Sequence, residues 1–283
     1  MSSPSSVIDP DAFNAFEAAG WEERATTYHR TFLPLTRRVI EPLLDAASVG
    51  PGMRVLDVGS GPGYVAAAAA ARDATAVGMD IAPAMVALAR TLHPEVEFVQ
   101  GDAERLQFAD DSFDAVVGNF AIPHLGRPEH AAAEFARVLS PRGRVALSTW
   151  DVPSASRLPG AFYDAIQEVG APPPSDLPTG PPFYAFADEP AFTGLLRDAG
   201  LVDLTVSTVA FSYHFVGDLF DCLVDGTVRA RSLVFGQPEA TQARIRSALD
   251  RLMAEYAVDG GFDLPISVKI ASGRRNDLTG DER

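Results

Sequence analysis

Three closely spaced glycines, Gly59, Gly61 and Gly63, follow directly on an apolar run that contains one acidic residue, Asp57. This order is typical of a buried parallel strand that turns sharply into a helix. Glycine leaves the backbone bare, so a ligand can approach it, and glycine also accepts positive φ. The spacing is G-x-G-x-G. Counted from Gly59, the dinucleotide fingerprint G-x-G-x-x-G has its last glycine at position 64, which is Tyr64 in this chain. The turn therefore favours a ligand without a pyrophosphate, and Asp57 beside it suits a positively charged one.

The composition limits the other chemistry that this chain can carry. A formal net charge of −15 over 283 residues argues against a nucleic-acid surface, which needs clustered Lys and Arg. Cys222 is the only cysteine, so we predict neither an internal disulfide nor a thiolate metal site. No acidic cluster has metal-ligand spacing, and we predict no metal. No run of about 18 apolar residues occurs, so we expect a cytoplasmic protein without a membrane partner.

The elements around the glycine turn alternate between strand and helix patterns. After two or three helical segments in 11–47, apolar runs predict strands at 54–58, 76–79, 96–100, 113–118 and 145–150, with helices between them. Further strands are expected at 201–212 and 264–272. Short connections between strands and helices imply a mostly parallel sheet with helices on both faces. The expected fold is therefore α/β, a doubly wound Rossmann-like sheet.

The same reading divides the chain into four parts. Residues 1–50 are predicted to form an N-terminal helical cover, and 51–150 the ligand-binding core. Residues 151–273 complete the sheet and carry an inserted cap, formed by the proline-rich segment 151–190 and by 213–256, which we expect to hold a substrate. Residues 274–283 are predicted to be a disordered tail, because they are polar and terminal.

With these units in place, the chain resembles the class I S-adenosylmethionine (SAM)-dependent methyltransferases, in the small-molecule, type 11 branch that includes ubiquinone and menaquinone methyltransferases. Segments 55–63, 76–80, 101–103 and 137–144 carry the resemblance, in order and each near a strand end. The resemblance implies a seven-stranded sheet whose last strand is antiparallel. It also implies SAM as the cofactor and a small-molecule substrate.

Position by position, the resemblance implies that these residues contact SAM: Tyr28, Asp57, Gly59, Ser60, Gly61, Gly63, Asp80, Ile81, Met85, Asp102, Ala103 and Asn119. The methionine part is expected over 59–63, with Asp57 near its amino group. The backbone of Asn119 is expected at the methionyl end, and Tyr28 is expected to close over the cofactor.

The nucleoside part of SAM is expected along the next strand ends. Asp80 would accept hydrogen bonds from both ribose hydroxyls, since a carboxylate can accept more than one. Ile81 and Met85 would sandwich the adenine, Asp102 would accept from its amino group, and the backbone of Ala103 would donate to a ring nitrogen. The alternatives are structural: Asp80 as a helix cap, Asp102 and Asp57 as turn acceptors, and Tyr28 as core.

Three histidines are candidates for substrate contact or for a base, His124, His214 and His29. His124 follows the fourth strand on the side that borders the substrate in this family, although Pro123 before it departs from the family pattern. A base is needed only if the acceptor is protonated. Aromatic residues of the cap are expected to form an apolar pocket: Phe162, Tyr163, Phe183, Tyr184, Phe186, Phe211, Tyr213, Phe215 and Phe220. The Arg229–Arg231 pair could meet an anionic substrate or form a solvated helix face.

The function predicted from the sequence is methyl transfer to O, C or N of a small, largely apolar metabolite, aromatic or terpenoid, in secondary metabolism. The protein is expected to be a monomer or a homodimer. One alternative is a SAM-binding protein of the same fold that catalyses a cyclisation or rearrangement, because fold does not fix chemistry. A non-catalytic nucleotide-binding module is a second alternative. An NAD-dependent oxidoreductase is disfavoured by the glycine spacing.

Overall fold

The structure of the protein, a computed structural model, describes residues 8–276. Its strands are β1 (Arg54–Val58), β2 (Thr75–Asp80), β3 (Glu97–Gln100), β4 (Phe113–Asn119), β5 (Leu139–Trp150), β6 (Leu201–Phe215), β7 (Ala257–Val258) and β8 (Gly261–Arg275). Its helices are α1 (Pro10–Thr31), α2 (Leu33–Thr36), α3 (Ile40–Ala46), α4 (Tyr64–Ala70), α5 (Pro83–Leu92), α6 (Pro128–Val138), α7 (Arg157–Val169), α8 (Glu189–Asp198), α9 (Leu219–Gly226), α10 (Val228–Phe235) and α11 (Glu239–Met253).

The sheet has the order β3-β2-β1-β4-β5-β8-β6, and the two-residue β7 pairs with β8 outside this path. Strands β1 to β5 are parallel, whereas β8 runs antiparallel to both of its long neighbours. This confirms the predicted α/β class and the antiparallel last strand; β7 is a short addition that the sequence did not indicate.

The strand order reverses beside β1, whose neighbours are β2 and β4. In open α/β sheets a ligand binds in the crevice outside the carboxyl ends of the strands at such a reversal. Val55, Leu56 and Val58 are all 0% exposed, because helices cover β1 on both faces. Burial of this strand fixes where the glycine turn that follows it emerges.

Helix α1 lies over this end of the sheet. Asp9 caps it by accepting from the backbone N–H of Ala12 at 3.1 Å, and Pro10 occupies the first helical position, where no N–H is needed. The helix packs against α5 and α9. Its buried face includes two charged residues, Glu17 and Arg24.

The region expected to be a cap is partly helical and partly sheet. Strand β6 continues to Phe215, and the stretch after it forms α9 and α10, which pack on each other and on α1. Helix α11 packs on α7 instead. The covering helices are thus inserted between the adjacent strands β6 and β8.

The prediction of a disordered tail from residue 274 is wrong for its first residues. Strand β8 continues to Arg275, where Arg274 pairs with Val202 and Arg275 with Leu201 across the edge of the sheet. Arg274 also forms an ion pair with Asp203. Sheet pairing outweighs the polar character of these residues. Residues 277–283 lie outside the described part of the chain.

Between Ile8 and Asn276, no helix combines the length and the apolarity that crossing a lipid bilayer requires.

Candidate active site

One cavity opens at the reversal of strand order, and its wall has two halves. The strand-end half consists of turns that follow the parallel strands: Gly59, Ser60, Gly61, Pro62, Met79, Asp80, Ile81, Gly101, Asp102, Ala103, Asn119, Phe120 and Ala121. The helical half consists of residues from α1, α7, α9, α10 and nearby loops: Asn14, Glu17, Trp21, His124, Pro159, Phe162, Tyr163, Phe183, Leu223, Thr227, Arg229 and Ala230. Tyr28, Phe32, Tyr64, Met85 and Trp150 also line the cavity.

The glycine turn places bare backbone against the cavity. Gly61 has φ of +51°, and a Cβ built on it would have no atom within 4 Å, so this position faces open space. Gly63 has φ of +86°, but its Cβ would lie 2.5 Å from the ring of Phe98. Gly61 therefore leaves room for a ligand, whereas Gly63 leaves room for the packing of α4 and does not line the cavity.

Asp80 is held in place by two backbone groups at the end of β2. Its oxygens accept from the N–H of Gly61 at 2.8 Å and of Ala82 at 3.0 Å. Burial raises the pKa of Asp80 above its ordinary value, although these two hydrogen bonds act in the opposite direction. Each oxygen keeps further acceptor capacity on the cavity wall. The carboxylate is therefore preorganised for a ligand that donates hydrogen bonds.

Asp57 does not reach the cavity, contrary to its predicted role beside the ligand. It is 1% exposed, and its Oδ2 accepts from the N–H of Ala66 at 3.1 Å in α4. Its Oδ1 has no hydrogen-bond partner. Burial raises the pKa of Asp57 well above its ordinary value, and the nearby charge of Asp80 adds to the shift. The side chain ties β1 to α4, which is the turn-acceptor alternative.

The residues expected around the adenine all line the cavity. Ile81 and Met85 supply apolar surface, and Met85 packs in a small cluster that includes Tyr28. Asp102 lies on the wall beside Ala103, and its Oδ1 also accepts from the N–H of Glu104 at 2.9 Å. Asp102 thus holds its own turn while it faces the cavity.

Tyr28 and Asn119 line the cavity from opposite elements, and Thr36 connects them. The Tyr28 hydroxyl shares a hydrogen bond of 2.9 Å with Oγ1 of Thr36. The Asn119 amide donates to the Thr36 carbonyl at 3.1 Å, and its Oδ1 accepts from Ser148 at 2.7 Å. The Asn119 side chain is therefore occupied by these two hydrogen bonds, and Asn119 lines the cavity. Burial raises the pKa of Tyr28 to about 12.

Three hydrogen-bonded side chains, Glu17, His124 and Arg229, form a triad in the helical half. Glu17, which is 2% exposed, accepts from Nε of Arg229 at 2.9 Å and from Nδ1 of His124 at 3.0 Å. Burial by itself raises the pKa of Glu17, but His124 and Arg229 together hold it below its ordinary value. Charged groups are buried at low cost only when they are paired in this way.

Aromatic rings surround the triad. The ring of Trp21 lies edge-on to His124, 5.1 Å between centroids, and Phe183 lies 6.3 Å away on another side. Arg229 lies over the rings of Phe13 and Phe183 at 4.5 and 5.4 Å. Rings and guanidinium planes of this kind form attractive contacts. The helical half is therefore largely apolar and aromatic, and its two oppositely charged side chains, Glu17 and Arg229, pair with each other.

The part of the chain that forms the strand-end half of the cavity is similar to known proteins. Residues 56–147 match a family model described as a methyltransferase domain. This segment runs from β1 into β5 and contains every residue named above for the strand-end half. The match supports the assignment of residues 56–147 to a class I SAM-dependent methyltransferase domain. The predicted family and cofactor are thereby confirmed.

Relatives extend the likeness unevenly along the chain. The demethylmenaquinone methyltransferase of Renibacterium salmoninarum is 35% identical over 119 residues, which are 42% of this chain and 50% of that protein. The chain thus spans about half the length of this relative. An uncharacterised protein of Mycobacterium tuberculosis is 29% identical over 77% of this chain and 80% of its own length.

Solved structures share the fold. The YcgJ protein from Bacillus subtilis has a TM-score of 0.57 at 20% identity and covers 85% of this chain and 99% of its own. Phosphoethanolamine N-methyltransferase 2 of Haemonchus contortus was solved with S-adenosylhomocysteine; its TM-score is 0.52 at 17% identity, over 84% of this chain and 53% of its own.

The strand-end half of the cavity fits SAM. Oγ of Ser60 is buried on the wall without a hydrogen-bond partner, and the space beside Gly61 is open. The carboxylates of Asp80 and Asp102 on the wall suit a ligand that carries hydroxyls, amino groups and a positive charge. These observations match the donors and the charge of SAM, which would be held by 59–61, Asp80 and the 101–103 turn.

Two of the predicted histidines are not in the site. His214 lies on β6, about half exposed, and pairs with Asp263 at 2.8 Å. His29 packs against Tyr64, with 5.9 Å between ring centroids, but does not line the cavity. Only His124 of the three lies on the wall. Sequence order alone could not separate them, because the face of a strand or helix that a residue occupies depends on packing.

The cap supplies less of the wall than its aromatic content indicated. Of the residues expected there, Phe162, Tyr163 and Phe183 line the cavity, whereas Phe211 and Tyr213 lie beside Arg38 on the outer part of β6. Other rings of the wall come from outside the predicted cap: Trp21, Tyr28, Phe32, Tyr64, Phe120 and Trp150. The N-terminal helix thus shares the substrate side with the cap.

Glu17, Trp21 and Arg229 complete the site, although the motifs in the sequence predict no role for Glu17 or Trp21. A signal for Glu17 existed in the helix spacing. Phe13, Glu17, Trp21 and Tyr28 recur at intervals that place them on one face of α1, so a carboxylate was to be expected on an inward face. Arg229, considered for an anionic substrate, instead pairs with Glu17.

Proposed function

We propose that this chain transfers the methyl group of SAM to O, C or N of a small, largely apolar acceptor bound in the helical half. The observation that carries the proposal is that one cavity joins the two halves. The family match supports SAM at the strand ends. The apolar and aromatic lining of the other half supports an acceptor with little charge, because such lining stabilises apolar ligands.

The relatives support the acceptor class only in part. One relative is named demethylmenaquinone methyltransferase, and its match covers 42% of this chain. The rings of Trp21, Phe162 and Phe183 support an aromatic or terpenoid acceptor for this protein. A role in secondary metabolism is part of the same proposal.

Methyl transfer from SAM asks little covalent chemistry of the protein. Bound SAM supplies a methyl group already activated by a positively charged sulfur. The chain then has to align the acceptor and exclude water. Asp80 and the 59–61 turn would fix the cofactor from one side, and Tyr28 and Trp21 on α1 would cover the junction of the two halves.

The decisive test is the affinity for S-adenosylhomocysteine, measured by isothermal calorimetry. Asp80→Ala removes a carboxylate that would bind both ribose hydroxyls, and two charge-assisted hydrogen bonds account for a loss of about 100-fold. Asp151→Asn is the matched control, because Asp151 is a buried carboxylate that bonds Ser267 at 2.7 Å and lies off the cavity wall. Equal affinity of Asp80→Ala and wild type would refute the cofactor site.

A second measurement separates methyl transfer from a SAM-assisted rearrangement. Methyl transfer releases one S-adenosylhomocysteine for each product, whereas a rearrangement consumes no SAM. Product formation without S-adenosylhomocysteine would exclude the proposed reaction.

The remaining parts of the proposal concern surroundings and partners. We infer a cytoplasmic protein that works as a monomer or homodimer and binds no nucleic acid, supported by the net charge of −15. Light scattering during size-exclusion chromatography tests the oligomeric state, and a filter-binding assay with duplex DNA tests the last point.

A further inference from the structure

We propose that Glu17 is a positioning residue that orients His124 as a base, so that the methyl acceptor in this site is a neutral hydroxyl group of a phenol or enol. The proposal rests on the proposed function and names the acceptor class of that same site. It depends on contacts between three elements that are far apart in sequence.

The geometry assigns the two ring nitrogens of His124 to different tasks. Nδ1 lies 3.0 Å from Oε2 of Glu17, where an ionised carboxylate can only accept, so Nδ1 carries the proton. Nε2 then has a free lone pair, and it forms no hydrogen bond with any residue from Ile8 to Asn276. His124 lies on the cavity wall and is 23% exposed. A neutral histidine of this tautomer can take a proton from a ligand.

The partners of Glu17 hold its carboxylate ionised and in one position. Arg229 donates to its other oxygen at 2.9 Å, and the guanidinium also donates to the carbonyls of Pro123 and Pro181. The bond to Pro123 ties Arg229 to the residue just before His124. The three-residue helical turn Ile122–His124 and the carboxylate are therefore held by one side chain.

The charges of the helical half select the acceptor. Its charged lining residues, Glu17 and Arg229, neutralise each other, so no free carboxylate is left there to attract an ammonium group. Asp80 and Asp102 lie in the strand-end half, where SAM would occupy them. A neutral acceptor therefore fits best, and a phenol or enol hydroxyl is neutral, weakly acidic and compatible with the aromatic wall.

The step balances with these groups alone. The acceptor O–H gives its proton to Nε2 of His124, and its electron pair forms the new O–C bond to the methyl group. The pair of the broken C–S bond stays on sulfur, which loses its positive charge. The resulting imidazolium is stabilised by the carboxylate of Glu17.

The first experiment observes the tautomer directly and needs no acceptor. Long-range ¹H–¹⁵N NMR at alkaline pH, on protein saturated with S-adenosylhomocysteine, reports which nitrogen of each of the five histidines is protonated. His124→Gln assigns the signal. We expect the Nδ1–H tautomer in wild type and in Asp151→Asn, and a shift toward Nε2–H in Glu17→Ala.

A double variant keeps this test valid if Glu17→Ala does not fold. Glu17→Leu with Arg229→Met replaces both members of the ion pair by apolar side chains of similar size, which leaves no unpaired buried charge. The same shift toward Nε2–H is expected. An Nδ1–H tautomer that persists in the variants, or an Nε2–H tautomer in wild type, would overturn the positioning role.

The second experiment tests the acceptor class with a matched pair of probes, 1-naphthol and 1-naphthylamine, which share a ring system. Release of S-adenosylhomocysteine is expected to be at least about 10-fold faster with the naphthol, to fall about 100-fold in His124→Gln and at least about 10-fold in Glu17→Gln. Faster methylation of the amine, or of neither probe, contradicts the hydroxyl class. Failure of wild type to bind S-adenosylhomocysteine would instead refute the proposed function, so the two failures are distinguishable.

Discussion

The strand-end half of the cavity lies at the ends of β1, β2, β3 and β4, whereas the helical half is made of side chains from α1, α7, α9, α10 and nearby loops. In the first half, Asp80 accepts from Gly61, which is 19 residues away along the chain. In the second half, Glu17 contacts His124 and Arg229, which are 107 and 212 residues away.

This difference separates two ways of building a site. Parallel strands deliver their carboxyl ends to one edge of the sheet, so the positions of the first half follow from the sheet itself. The second half exists only when three separate elements dock. We therefore expect substitutions in the helical half to affect stability most, and those in the strand-end half to affect cofactor affinity most.

The largest effect is expected for Arg229→Met, which leaves Glu17 buried with one of its two partners. Breaking a buried ion pair by removal of one member costs about 3–5 kcal/mol of the free energy of unfolding. Urea denaturation measures this loss. Arg229 lies outside the strand-end half, so the affinity of the folded protein for S-adenosylhomocysteine should change by less than about 3-fold. This corresponds to less than about 0.7 kcal/mol of binding free energy, because 1.4 kcal/mol is a tenfold change.

Arg231→Met is the matched control on the same helix. Arg231 is 37% exposed in its side chain and pairs with the half-exposed Asp225, so its loss should cost about 0–1 kcal/mol. Equal costs for the two arginines would show that the helical half is not held together by its buried triad.

Two glycines of the same turn sharpen the comparison within the strand-end half. Gly63→Ala forces a Cβ to within 2.5 Å of Phe98 and strains a positive φ, and should cost about 2–4 kcal/mol of stability. Gly61→Ala meets open space, so only the backbone strain of about 1–2 kcal/mol applies. Gly61→Ala should nevertheless weaken S-adenosylhomocysteine binding, because Gly61 lines the cavity and the added methyl group would occupy space beside the ligand.

Thermal unfolding and calorimetry on both variants decide this point. If Gly61→Ala binds as wild type does, the bare backbone there is not a ligand contact. If Gly63→Ala is as stable as wild type, the packing account of that glycine is wrong.

Two buried carboxylates, Asp57 beneath the glycine turn and Glu17 in the helical half, should change the stability in opposite directions on acidification. Burial raises the pKa of Asp57, so the folded protein binds this proton more tightly than the unfolded chain, and acidification from the raised folded-state pKa toward 3.8 stabilises the ligand-free protein. The pKa of Glu17 is lowered, so its contribution is present above 4.5 and is lost as the pH falls toward the folded-state value.

The free energy of unfolding as a function of pH, from urea titrations on ligand-free protein, checks this prediction. Asp57→Asn should lack the gain in stability that wild type shows on mild acidification. Glu17→Gln should lack part of the loss at lower pH. Parallel pH curves for wild type and both variants would contradict the assigned electrostatics.

The smallest effect is expected for His214→Ala. His214 is about half exposed and pairs only with Asp263 at the surface, so the stability should change by less than about 0.5 kcal/mol. S-adenosylhomocysteine affinity and methyl release should equal those of wild type. A loss of either would mean that β6 contributes to the site.

How much of the molecule could be predicted differs between the same two halves. The parallel strands and the turn at 59–63 could be read from apolar runs and glycine spacing, because these patterns act over a few residues. The role of Asp57 could not, because β1 and α4 bury it between them. Local pattern likewise predicts disorder at 274–275, because these residues are polar and terminal, and only their pairing with β6 makes them part of a strand.

The sequence by itself determined the α/β alternation, the strand ends that carry Asp80 and Asp102, and the family to which they point, because each depends on local order along the chain. Only the tertiary structure decided that Glu17, His124 and Arg229 meet, and that His29 and His214 do not join them. Glu17 is separated along the chain from His124 by 107 positions and from Arg229 by 212 positions. Contacts over such separations depend on how the elements pack, and no short-range sequence pattern predicts them.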